Sequence, residues 1–352
     1  VGDRHSGTGY RPPAPLPATL VQWPESFGTR FTVFVDTEEE FDWSTSFSRD
    51  ARGTGHMAAM PEAHARFAAH GVPLTWLVDH PIATCQRSAE ILRRLIEDGR
   101  SAVGTQLHPW VNPPFEEEVS LRNSFAGNLP AGLEEAKLAV LTDAIASAFG
   151  RRPLIYRAGR YGVGPNTFAA LARLGYRADS SMRARYDYSP DGGPDFAAIP
   201  NHVFRTGPDG SIVELPLTTV FTGALRRGGA SLHRRLGSLP RGRGIAARLH
   251  LLSRVALTPE DMPLDDALEA VRIAVGEGVR VLNFSFHSPS VEPGHTPYVR
   301  DVADLAAFYR WWDAVFALLA RLDVAPASLA ELLDAACGAA PSSATAAGAG
   351  GL

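Results

Sequence analysis

Apolar runs that alternate with helical segments, and that break into polar residues at their carboxyl ends, constrain this chain more than any other feature. FTVFVD (31–36) is β-branched and aromatic, ends in acid and continues into TEEEFDW. Residues 57–69 read as a helix stopped by Gly71, and PLTWLV (73–78) as a second strand. AEILRRLIEDG (89–99) reads as a short amphipathic helix whose glycine suits a left-handed cap, and SAVGTQL (101–107) as a third strand. Residues 133–149 place Leu138, Leu141, Ile145 and Phe149 on one helical face, with Gly150 at the stop. PLIYR (153–157) is a strand, and PNTFAALARLG a helix with Pro165 in its first turn and Gly175 at its end. SIVELPL (211–217) and VRVLNFSF (279–286) are further strands, a helix is expected near 244–254, and a long one over 301–321. Continuous apolar strands, each followed by a helix, predict a parallel sheet covered by helices. Seven or eight such units closing on themselves make a (β/α) barrel, and an open doubly wound sheet is the rival. No phosphate-type glycine loop follows the first strand, which weakens a dinucleotide site. In either fold the pocket lies at the carboxyl ends of the strands.

Composition narrows the function classes. The chain has 352 residues, 45% of them hydrophobic, and a net charge of -4. That balance leaves no electrostatic footprint for nucleic acid. No run of strongly apolar residues is long enough to span a bilayer. Cys85 and Cys337 are the only cysteines, so no disulfide scaffold is expected and a cytoplasmic location is the expectation. Residues 1–28 read as a disordered or extended Pro/Gly-rich lead, 29–336 as a single domain and 337–352 as a low-complexity tail. Within the domain, 222–260 is an arginine-rich insertion. Arg226, Arg227, Arg234, Arg235, Arg241, Arg243, Arg248 and Arg254 occur there, with no acid between 222 and 254. It reads as a solvated flexible segment, or as a face for an anionic substrate or an anionic membrane where lipid-linked glycans are built.

Four strand ends carry chemistry. Asp36 and Glu38 share parity, so in extended chain they point the same way. His108 and Asn112 follow the third strand. Arg157, Arg160 and Tyr161 follow PLIY. Asn283, Ser285 and His287 alternate with Leu282, Phe284 and Phe286, which sets the polar group on one side. Singly, each has a bland reading: a solvated acid run, a turn histidine before proline, a paired arginine, a polar barrel interior. Together at one end of a sheet they suit metal-assisted hydrolysis, with a carboxylate as base and the far histidine as acid. Trp43 and Trp110 lie beside the proposed ligands and offer rings for a sugar. The loop VEPGHTPYVRD brings His295, Tyr298 and Arg300 as a candidate rim.

The ordered set VDTEEEFDW, LHPWVNPP, YRAGRYG, ADSS and FSFHSPS resembles the NodB-homology polysaccharide deacetylases, carbohydrate esterase family four, and within them a divergent WalW-like branch. The resemblance spans about residues 30 to 335. It implies a deformed (β/α) barrel of about seven units and removal of an N-acetyl group from an amino sugar in a glycan or its activated precursor. By the resemblance Asp36 is the base, Arg157 orients it, the Tyr161 backbone N–H helps hold the oxyanion and His287 is the general acid. Thr37 stands where the family has its second aspartate, so Glu38 is the substitute metal ligand. His108 and Asn112 keep the spacing of two family histidines, the second now an amide, and Gln106 has a carbonyl to lend. The implied cofactor is a divalent metal, with zinc the expected ion, on Glu38, His108 and Asn112; Trp43, Trp110, Arg160, His295 and Tyr298 are the candidate substrate contacts. Two rivals stand beside this reading: a catalytically silent glycan-binding barrel that has lost its metal, and an amidohydrolase acting on a small amide or cyclic ureide.

Overall fold

The computed structural model describes residues 9–338. Its strands are β1 (Thr29–Thr37), β2 (Leu74–Val78), β3 (Ala102–Leu107), β4 (Ile155–Ala158), β5 (Ala178–Asp179), β6 (Phe204–Thr206), β7 (Ile212–Glu214), β8 (Thr219–Thr222), β9 (Ser253–Ala256), β10 (Val281–His287) and β11 (Val324–Pro326). Its helices are α1 (Met60–Ala69), α2 (His80–Thr84), α3 (Gln86–Leu95), α4 (Ala131–Phe149), α5 (Thr167–Arg173), α6 (Gly229–Gly237), α7 (Gly242–Arg248), α8 (Leu264–Gly276), α9 (Val302–Arg321) and α10 (Leu329–Gly338). The strands run parallel in the order β10-β1-β2-β3-β4-β5-β7, with β6 antiparallel on the far edge and β11 beside the start of β1. The sheet curls. Thr218 N–H donates to the Asn283 carbonyl and Ser285 N–H to the Leu257 carbonyl, so the segments after β7 and β9 return to the free edge of β10. The result is a deformed barrel, and the open sheet is not what forms.

Strand alternation decides what faces inward. Phe31, Val33 and Val35 of β1, with Phe284 and Phe286 of β10, pack outward against Phe67 of α1 and Phe308, Trp312 and Phe316 of α9. Phe34, Leu77, Ile155, Ala178, Val213 and Leu215 form a second cluster with Leu329, Leu332 and Leu333 of α10. Gly104 is required on β3 because a Cβ there would strike the Ile155 side chain. Above the Phe34 layer the strands end in polar residues, and the parallel register of β1 with β10 pairs Asp36 with His287.

The insertion differs from expectation. The helix over 244–254 ends at Arg248, and Ser253–Ala256 is a strand paired antiparallel with β8. Val255 is buried on that hairpin, so tertiary pairing overrides any continuation of helix. Residues 9–28 run largely extended along the barrel. Val21 N–H donates to the Val203 carbonyl, and Asp195 N–H to that of Tyr10. The tail beyond Gly338 lies outside the described residues.

Candidate active site

At the carboxyl end of β1, Asp36 is buried against Arg157 of β4, whose Nη1 donates to its Oδ1 at 2.6 Å. The guanidinium is itself fixed, because Nε and Nη2 donate to the carbonyl and hydroxyl of Ser180. The other carboxylate oxygen, Oδ2, faces His287 Nε2 across 3.8 Å. His287 is held from behind by Glu260, which accepts from the imidazole Nδ1 at 2.6 Å and from the His287 backbone N–H at 3.0 Å. Ser290 donates to the same carboxylate. Burial alone would lower the basicity of His287, but Glu260 outweighs it, with Glu38 and Asp36 adding, and lifts the pKa to about 10. His287 is therefore a cation at neutral pH, with one N–H aimed toward Asp36.

Beside this pair lies a set of donors of another kind. Glu38 continues the parity of Asp36 and is buried, with Gln106 Nε2 donating to its Oε2 at 3.2 Å. Glu38 Oε1 and Gln106 Oε1 are both buried without a partner among the described residues. His108 Nε2 is 3.5 Å from Glu38 Oε2, while its Nδ1 meets Glu39 Oε2 at 2.7 Å. Donation from Nδ1 to that carboxylate leaves the Nε2 lone pair facing Glu38. Burial lowers the His108 pKa, which keeps the ring neutral, as a ligand must be. Burial also pushes Glu38 up to about 8, against the pull of His287 and His108. A carboxylate and an amide, each with an orphaned oxygen, and a neutral imidazole nitrogen fit a divalent cation, and Glu38, Gln106 and His108 would hold it. This N/O set is harder than the usual zinc ligands.

Glu39, Asp79 and His108 also bring ligand atoms within 4.8 Å of one another. Those atoms are already engaged. Glu39 takes Trp110 Nε1–H at 2.7 Å as well as His108; Asp79 accepts from the Glu39 and Ile82 backbone N–H groups. Burial, and then Glu39, raise Asp79 well above the usual carboxylate range. This trio braces the imidazole from behind. Gly159 completes the brace on the opposite side, since a Cβ there would collide with the His108 ring. A further chain, from half-buried Glu40 through His56 to Ser288, ends on the Glu38 N–H, which donates to Ser288 Oγ at 3.2 Å. His56 and Ser288 are fully buried and do not line the cavity; they fix the turn that presents Glu38 and His287.

The cavity over these groups measures about 370 Å³. That is within the range of small-ligand clefts, roughly 300–1,000 Å³. Of the expected substrate contacts, Trp43, Trp110, Arg160 and Tyr298 line it. Trp43 meets His287 and Tyr298 edge-on at 5.1 and 5.6 Å, and Trp110 stacks on His108 at 4.4 Å. His295 does not line it. It lines a neighbouring groove that shares Trp43, where its two ring nitrogens face the carboxylates of Glu40 and Glu292. Asn112 does not line the cavity: its Nδ2 donates to the Pro113 and Lys137 carbonyls and ties the loop to α4, while its Oδ1 is buried without a partner among the described residues. Lys137 makes the reciprocal tie, donating to the carbonyls of Pro109, Asn112 and Pro114. Arg160 and Tyr161 both adopt left-handed backbone, φ 55° and 63°. Two adjacent non-glycine residues in that region are strained, and such strain concentrates where a backbone is shaped for function.

Sequence reasoning missed Glu39, Asp79 and Glu260 as site-building residues, and the cavity-lining Phe41, Phe47, Arg183 and Tyr188. Glu39 carried a signal, sitting in the acid run, whereas nothing local marks Glu260, 27 residues before His287.

No family model and no curated protein matches the sequence. Solved structures do. A candidate polysaccharide deacetylase from Mycobacterium smegmatis superposes with a TM-score of 0.51 at 18% identity, covering 92% of this chain and 95% of that one. An allantoinase gives 0.49 at 15%, covering 96% and 97%. A candidate polysaccharide deacetylase from Pseudomonas aeruginosa PAO1 gives 0.48 at 15%, covering 89% and 91%. With its curled parallel sheet and its pocket at the strand ends, the chain has the fold of the NodB-type polysaccharide deacetylases.

Proposed function

We propose that this protein is a hydrolase that removes N-acetyl groups from an amino sugar in a glycan or its activated precursor, with a divalent cation bound at Glu38, Gln106 and His108. The observation that carries the reading is the meeting of two unlike sets of groups in one cavity. One is a base and acid facing each other, Asp36 and His287; the other is a cluster of unpaired oxygens beside a neutral imidazole. When bound, the cation supplies Lewis acidity to the scissile carbonyl. Asp36, aimed by Arg157, takes a proton from the attacking water. His287, already protonated, gives its Nε2 proton to the departing amine while Glu260 steadies the ring. The backbone N–H of Tyr161 is assigned to the developing oxyanion. Trp43 and Tyr298 offer aromatic walls for the sugar ring.

The test is acetate release from N-acetylated amino-sugar oligomers, alongside bound metal, for the parent and Asp36→Asn. Release by the parent, lost in the variant with metal retained, supports the reading. Turnover of small amides or cyclic ureides but not of sugars would move the substrate class, and absence of both metal and turnover would favour a silent glycan-binding barrel.

A further inference from the structure

Between β8 and β9 the chain leaves the barrel for about thirty residues and builds a layer of its own. Leu232, Leu236, Leu251, Leu252 and Ala246 gather over Phe221 into a small separate core that seats α6 and α7 on the hairpin. Four other aliphatic side chains of the segment are left outside this core. Leu225, Leu239, Ile245 and Leu249 are 47%, 57%, 53% and 62% exposed. Ile245 and Leu249 are one helical turn apart and share a face. Arg226, Arg227, Arg234, Arg235, Arg241, Arg243 and Arg248 are all exposed on the same segment, which holds no acid from 222 to 254. Among the described residues, the arginine ion pairs involve other guanidiniums.

We infer that this insertion is a docking surface for an anionic lipid bilayer, seated on it through the interleaved arginines and aliphatic side chains. A cationic patch alone suits any polyanion. Four exposed aliphatic chains among the arginines suit a headgroup layer, which takes cations at its surface and short apolar chains just beneath. A single-stranded nucleic acid would instead favour aromatic stacking, and residues 222–254 contain no Phe, Tyr or Trp. No helix of the described residues is long and apolar enough to cross a membrane, so the contact is peripheral.

The base of the insertion packs on the cavity wall. Arg254, at the base of the insertion, covers the Tyr186 ring at 3.5 Å. Tyr186 stacks on Tyr188, and Tyr188 on Tyr161, which opens onto the cavity. The inference does not depend on which reaction the cavity performs.

Co-sedimentation of the full chain with phosphatidylcholine vesicles, with and without about one third phosphatidylglycerol, tests it. Binding is expected on the anionic vesicles, weaker by on the order of tenfold on neutral ones, and falling with salt. Replacing Leu225, Leu239, Ile245 and Leu249 together by serine, with every arginine kept, should weaken vesicle binding by on the order of tenfold and leave the melting temperature unchanged. Replacing Arg234, Arg235, Arg241, Arg243 and Arg248 by glutamine should remove the salt-dependent part. The inference is overturned by absence of binding to anionic vesicles. Undiminished binding by the serine variant, with heparin held as tightly, makes the patch a polyanion site and overturns it too. So does self-association that the serine variant abolishes in a protein that ignores lipid.

Discussion

Gly159 shows how a residue without a side chain can set the chemistry of its neighbour. It leaves room for the His108 ring, which Glu39 then turns so that Nε2 faces Glu38. Gly159→Ala is expected to weaken divalent-cation binding ~10–100-fold, as disturbing a ligand's support does, with circular dichroism unchanged; titration calorimetry measures it. His287→Ala should lower acetate release by a factor of ~10²–10⁴ with fold and bound metal retained. Glu260→Gln tests the partner behind it. The folded His287 pKa, about 10, lies above the ordinary histidine value, so the acid form persists into alkaline solution. Without the Glu260 carboxylate, burial pulls that value down. The alkaline limb of kcat/KM should then move to lower pH, and a limb that stays put would detach Glu260 from the acid. Asp36 and His287 were legible because each lies at a strand end and parity gives its direction, and Arg157 because it closes PLIYR and matches the family's motif. Glu260 was not, since only the folded chain carries its loop to β10.

At the scale of the element, α4 was readable from its apolar face, yet its buried polar residues carry the surprises. Glu134 in its first turn is buried, accepts from Thr167 Oγ1 and leaves Oε2 unpaired among the described residues. Burial raises its pKa to about 7. A carboxyl raised on folding binds its proton more tightly in the native state. Its stabilising share is complete below about 4.5, the unfolded value, and is lost as pH rises through about 7. Glu134→Gln should therefore gain stability at pH 8 relative to the parent, by about 1–3 kcal/mol, and show little gain near pH 4, in urea melts at the two values. Lys137, one turn on, explains the fate of Asn112. The loop after β3 turns its carbonyls inward, and a buried ammonium satisfies them. The resemblance implied a ligand pair; the hydrogen-bonding needs of the loop instead place Asn112 away from the cavity.

For the whole molecule, closure of the barrel joins residues far apart in sequence around one cavity. A cation that binds only this folded arrangement stabilises it by mass action, about 2.7 kcal/mol at a hundredfold excess over Kd. Divalent ions should accordingly raise Tm in scanning calorimetry, a chelator should reverse the rise, and Glu38→Ala should abolish it. A rise that persists in Glu38→Ala would place the ion elsewhere, with the Glu39–Asp79–His108 trio the first alternative.

Local pattern alone marked β1, β2, β3, β4, β7 and β10 and which way their side chains alternate, because those properties depend on neighbours two to four residues away, whereas β9 is a strand only through its tertiary pairing with β8. The local pattern thereby placed Asp36, Glu38, His108, Arg157 and His287 at the carboxyl ends of parallel strands. Only the tertiary structure decided who supports them: Glu39 and Gly159 about His108, Glu260 behind His287, and Asn112 and His295 turned away. Those choices follow from sheet curl and loop packing, which balance burial against hydrogen bonding over the whole chain.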